Sequence, residues 1–210
     1  MEMYDVEALR VKQRKLLQEV CEYVSGAALK KDLYGVEKDL FRYVLSLGHA
    51  FLCEVIARHG SGKVQGPIDV GEGELPYHMD KGTTYKSVFG EVSINRAYYW
   101  SKGEEGAFPL DAELNLPERR YSYLLDQWVQ GSIVEMPYDK SVDRFAELLG
   151  IPVTKLGQQN VAREVGRYFT EFYRHKSVFD PATEGSILGV QADGKGVRMI
   201  GSEKPQGGAK

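Results

Sequence analysis

Phe145-Ala146-Glu147-Leu148-Leu149-Gly150-Ile151-Pro152-Val153-Thr154-Lys155-Leu156-Gly157-Gln158-Gln159 is the stretch on which the fold turns. Its first part closes a helix. Val142, Phe145, Ala146 and Leu149 share one face of a segment that opens after Pro137 and runs Tyr138 to Leu149, and Gly150 supplies the stop. Thr154 has N-cap chemistry, so another helix starts there and its periodicity extends to about His175. An earlier helix, about Arg120 to Val134, carries Tyr121, Leu124, Leu125, Trp128 and Val129, with Trp128 expected as the anchor of the group. Three helices with a tight glycine turn between the last two predict a trihelical helix-turn-helix unit over residues 118–178.

The chemistry of such a unit belongs on its last helix. Val161, Val165, Phe169 and Phe172 are expected to form the buried stripe, leaving Gln158, Gln159, Arg163 and Arg167 largely on other faces. Amide forks suit adenine, and guanidinium forks suit guanine or phosphate. With Lys155 and Arg174 added, the candidate DNA-binding set is Lys155, Gln158, Gln159, Arg163, Arg167 and Arg174. From Thr154 to Lys176, five basic residues against two acidic ones leave a local charge of +3. The same spacing also fits a solvated helix of a helical bundle that docks on a partner protein.

Working outward, Leu9, Leu16, Val20 and Val24 place an amphipathic helix between Asp5 and Val24. A longer one spans about Val36 to Arg58, its face read as Val36, Leu40, Val44, Leu47, Phe51, Val55 and Ile56, with Gly60 beyond its end. Residues 1–60 are therefore a helical arm, a candidate surface for homo-oligomer formation. Gly60 to Gly82 reads as a long loop. Thr84 to Phe89 and Val92 to Trp100 then form two strands around Gly90-Glu91, a hairpin with type II′ chemistry that completes region 61–117. Arg96 among Tyr98, Tyr99 and Trp100 offers either a basic aromatic nucleic-acid face or ordinary sheet packing. Near the other end, Ser186 to Asp193 and Val197 to Ile200 read as strands about Gly194-Lys195-Gly196. Asp193 is either a turn residue of an Asp-Gly pair or a metal-ligating carboxylate at a strand end.

The 210 residues are 42% hydrophobic and 11% aromatic, enough to bury a core, which excludes disorder over the whole chain. A net charge of −3 excludes a global positive field, so an anionic partner must be met by a local patch. Cys21 and Cys53, the two cysteines, stand far apart in expected helices, which excludes a disulfide framework and zinc-finger spacing. The acidic start carries no secretory signal, and no run reaches about eighteen apolar residues, so the expectation is a cytoplasmic protein without a membrane partner.

Taken in order, Phe89-Gly90-Glu91-Val92, Arg96-Ala97-Tyr98-Tyr99, Phe108-Pro109-Leu110-Asp111, Leu148-Leu149-Gly150-Ile151-Pro152-Val153, Val165-Gly166 and Gln191-Ala192-Asp193-Gly194 carry a family likeness. From about residue 85 to 200 the chain resembles the N-terminal half of transposases of the ISKra group of bacterial insertion sequences. The resemblance implies a DDE-type transposase whose N-terminal region binds double-stranded DNA at transposon ends. It further implies an RNase H-like core that cuts and joins DNA with Mg2+ or Mn2+, with Asp193 as the first catalytic and metal-ligating acid. Where relatives carry a Cys-x-x-Cys pair after the hairpin, Trp100 and Gly103 stand here, so structural zinc is not expected.

Residues 179–210 are thus expected to be the truncated opening of the RNase H-like domain. One carboxylate cannot hold two divalent ions, so a chain with Asp193 alone is expected to be catalytically incomplete and to need no cofactor of its own. The fold expectation is α+β: helical arm, β-hairpin, helix-turn-helix unit and two strands of an RNase H-like domain. The leading function is a transposase N-terminal fragment that binds DNA without cutting it. The alternatives are a helical protein-interaction module and a repressor that competes for element ends.

Overall fold

The computed structural model describes residues 4–71 and 73–177 and shows an α+β chain. Asp193 and the two strands expected around it lie outside the described residues. The chain divides into two units, Met1–Tyr168 and Phe169–Lys210.

Helix α1 (Val6–Ser25) starts where Asp5 accepts the Glu7 N–H, and α2 (Leu33–His59) where Asp32 accepts the Gly35 N–H. These caps fix both N-termini by satisfying amides that have no helical partner. A 3-10 turn, Ala27–Lys30, joins the helices. They run antiparallel: Gln13 donates to Glu54 at 2.7 Å, while Tyr23, ten residues later, donates to Asp39 at 2.8 Å. The apolar stripe expected from the sequence packs only in part: Ile56 enters the core and Val36, Leu40 and Leu47 are half-buried, while the rest faces outward. Ala50, Cys53 and Ile56 are buried, whereas Val44, Phe51 and Val55 are about half exposed. Small Ala50 and Cys53 admit close neighbours, and the polar groups of α1 hydrogen-bond to Asp39 and Glu54 beside them, so the inward arc is the less apolar one. Among the described residues α2 alone is long and apolar enough by length and composition to cross a membrane, with an 18-residue window of mean hydropathy 1.4, a combination that core helices also show. It also carries Asp39, His49 and Glu54 on arcs that contact α1 and the sheet.

The region read as a loop from Gly60 to Gly82 is half strand. β1 (Ile68–Asp69) pairs with β2 (Glu74–Leu75), and β3 (Tyr77–Ser87) pairs antiparallel with β4 (Gly90–Tyr99). The first half of β3, His78-Met79-Asp80-Lys81, is largely exposed and polar, so no alternation announced it. The hairpin turn is Val88-Phe89, two residues before the expected Gly90-Glu91, because Ser87 pairs with Gly90. Ser87 Oγ accepts the Phe89 N–H at 3.1 Å and donates to the Gly90 carbonyl at 3.0 Å, closing the turn. Gly90, with φ of +122°, is needed as the first residue of β4. Val92 and Ile94 point from β4 into a core with Leu9, Cys53, Ile56 and Leu110, the last on the short helix α3 (Pro109–Glu113) that the sequence reading missed.

Helices α4 (Tyr123–Glu135), α5 (Tyr138–Leu149) and α6 (Lys155–Arg167) enclose a second core of Leu125, Val129, Phe145, Ile151, Val153 and Val161, which Val88 of the hairpin turn joins. Ser122 caps α4 by accepting the Leu125 N–H at 3.0 Å, which starts the helix three residues after the expected Arg120. Gly150 adopts the left-handed conformation, φ 65° and ψ 17°, and Thr154 caps α6 by accepting the Gly157 N–H at 3.1 Å, as the sequence indicated. Trp128 does not anchor the group. It is 45% exposed, and Leu125 and Val129 on the neighbouring arc of α4 fill the core instead.

The helix expected from Thr154 to His175 ends at Arg167, because Tyr168 turns to φ −88°, ψ 0° and its N–H reaches the Val165 carbonyl. Helix α7 (Phe169–His175) follows in the second unit. The stripe assigned to one long helix fails accordingly: Val161 is buried, but Val165, Phe169 and Phe172 are exposed by 44%, 64% and 60%.

Candidate nucleic-acid interface

Helix α6 is held by its inner arc, Gln158 and Val161, both fully buried. Successive residues on a helix are offset by about 100°. That places Gln159, Arg163 and Arg167 together on the opposite arc, with Asn160 at its edge. Arg163, Arg167 and Asn160 are exposed and Gln159 is half-buried. Among the described residues Arg163 and Arg167 form no ion pair, so both guanidinium groups are available to an anion; the ion pairs of this region are made by their neighbours. Asn160, which the sequence reading did not select, adds an exposed amide that can offer a donor and an acceptor to a base edge. Its signal was the spacing: it precedes Arg163 by three residues and Arg167 by seven.

Gln158 is corrected. It cannot present an amide to DNA from this position, because the rotation of α6 that buries Val161 buries Gln158 as well. Neither its Oε1 nor its Nε2 has a hydrogen-bond partner there. Nearby, Ser132 Oγ and Ser141 Oγ, both buried, satisfy each other at 2.8 Å across α4 and α5. Lys155 sits on the first turn of α6 and binds Asp139 of α5 at 2.8 and 3.0 Å, so its charge is partly neutralised within the molecule. Arg174, on α7, pairs with Glu171 at 3.3 Å and belongs to the second unit.

The flank of α6 is braced by Arg119, which binds Glu164 at 2.7 Å and Asp126 at 3.6 Å. This ties α6 to the start of α4 and withdraws the acidic Glu164 from the arc that carries Arg163. The aromatic and basic set on the hairpin serves packing. Arg96 binds Asp111 and lies 4.0 Å from the Phe108 ring centroid, and Tyr99 is fully buried with its hydroxyl accepting the Val64 N–H at 2.9 Å. Burial pushes the Asp111 carboxyl above its ordinary range, an effect the Arg96 guanidinium opposes.

Among the described residues no three His, Cys, Asp or Glu side chains are grouped to hold a metal ion, and Asp193, the expected ligand, is not among those residues. Comparison with family models, curated proteins and solved structures returns no match.

Proposed function

We propose that the chain is a double-stranded-DNA-binding protein in which α4, α5 and α6 act as a helix-turn-helix unit and α6 enters the major groove. The observation that supports this reading is the outer arc of α6, where Arg163, Arg167, Gln159 and Asn160 face away from a fixed core and neither arginine has an ion-pair partner among the described residues. The resemblance noted in the sequence extends the reading to transposon ends as the target and to a DDE transposase as the parent activity. In that setting Asp193 would be the first acidic ligand of Mg2+ or Mn2+, and the location would be the cytoplasm. A repressor role needs the same DNA affinity.

A protein-interaction module is the second reading, favoured by Val44, Phe51 and Val55 on the uncovered side of α2, which also suits self-association of the helical arm. Binding to a labelled duplex between 50 and 200 mM salt separates the two. Phosphate contacts release counterions, and each contributes a slope of about −0.9 in log affinity against log salt. The DNA reading requires a steep slope. The interaction-module reading requires no duplex affinity at all.

A further inference from the structure

Helices α1 and α2 border an open cleft of about 370 Å³ that Phe89 of the hairpin turn and Leu149 of α5 also line. Lys12, Arg42, Ser46 and His49 supply its polar groups, and among the described residues no carboxylate lines it. Among the described residues neither Lys12 nor Arg42 forms an ion pair; Asp39, which Lys31 and Tyr23 engage, lies within the field of Arg42, which helps hold its carboxyl below the ordinary range. Two cations lining one cleft repel each other and favour an anion between them, and low-dielectric walls strengthen that attraction. His49 is fixed in the wall: its Nε2 lies 2.9 Å from the Glu91 carbonyl and its Nδ1 3.8 Å from Cys53 Sγ. Hydrogen bonding to Cys53, aided by the Glu91 carbonyl, raises its pKa against the opposing effects of burial and of the Lys12 charge.

We infer that this cleft binds a phosphate group, with Lys12 and Arg42 as charged donors, Ser46 as a hydroxyl donor and His49 contributing positive field from the wall. The apolar rims at Phe89 and Leu149 fit a phosphate carried on an organic body. Two sources share this chemistry, a small organic phosphate and the backbone of a nucleic acid. The site uses no residue of α6, so it stands independently of the helix-turn-helix reading.

The test follows the His49 ring protons by NMR in the full chain at low salt, titrated with inorganic pyrophosphate and, separately, with a duplex. The expected result is a saturable shift with at least one of them, weakened about tenfold or more in the Lys12→Gln/Arg42→Gln variant, since each substitution removes a charged hydrogen bond. Both residues are exposed and outside the cores, and an unchanged thermal transition verifies that the variant is folded. A Lys12→Arg variant should retain the response. A shift with pyrophosphate identifies a small phosphate as sufficient, and a shift with duplex alone identifies the nucleic-acid backbone. In an Arg163→Ala/Arg167→Ala variant the pyrophosphate response should persist, or, where duplex alone responds, Lys12→Gln/Arg42→Gln should still weaken duplex binding in that background. Absence of a response to both probes, or an undiminished response in the folded Lys12→Gln/Arg42→Gln variant, overturns the assignment.

Discussion

Gln158→Met removes a buried amide that has no hydrogen-bond partner and replaces it with an unbranched apolar side chain of similar length. Burying an amide without compensation costs about 1 to 3 kcal/mol by the scale of protein substitutions. Gln158 is fully buried, so the whole of that penalty applies, and the methionine adds apolar contact with the surrounding core. The variant should therefore be more stable by about 1 to 3 kcal/mol. In a chain of this size each kcal/mol raises Tm by about 2 to 4 °C. Urea unfolding followed by the fluorescence of Trp100 and Trp128 measures the change, and duplex affinity should stay level. A loss of stability would show that the amide is bonded in solution and refute the reasoning. A loss of DNA affinity at unchanged stability would return Gln158 to the binding face.

Trp128→Ala should cost less than about 2 kcal/mol, below the 3 to 5 typical of a fully buried aromatic, because nearly half of the side chain is already in water; chemical denaturation checks this, and a cost in the full range would bury Trp128. Glu54 is held below the ordinary carboxylate range, first by the Gln13 hydrogen bond and then by Arg58. A carboxylate whose folded pKa is depressed contributes stability above its unfolded value of about 4.3, and that contribution disappears as pH falls through the lower folded value. The urea midpoint should therefore fall with acidification over that window, and Glu54→Gln should flatten the fall; an equally steep decline in the variant would exclude Glu54 as its source.

Capping chemistry and special backbone positions were legible in the sequence. Gly150 and Thr154 mark the end of α5 and the start of α6 because each answers a local requirement, a left-handed residue and an oxygen for free amides. Rotation of a helix about its axis was not legible. On α6, Gln158 lies between potential inward and outward positions, and the choice depends on Val161 meeting α4 and α5 rather than on residue type. On α2 Val44, Phe51 and Val55 of the apolar stripe face outward because Gln13 and Tyr23 of α1 reach polar groups on the other side. Helix length is hidden for a related reason: the apolar spacing of Val165, Phe169 and Phe172 continues through Tyr168, where the backbone leaves the helix. Arg96 could be assigned to packing only once Asp111 and Phe108 were seen beside it.

Fluorescence anisotropy of a labelled duplex with the Arg163→Ala/Arg167→Ala variant tests whether the outer arc of α6 meets DNA. Both side chains are exposed, so the variant should unfold at the same temperature as the parent chain. If either arginine reads a base, affinity should drop by about 1 to 3 kcal/mol or more, roughly 5-fold to 150-fold. If both contact phosphate, the salt slope should also fall by about 2. A folded double variant that binds duplex with undiminished affinity and slope would contradict the account.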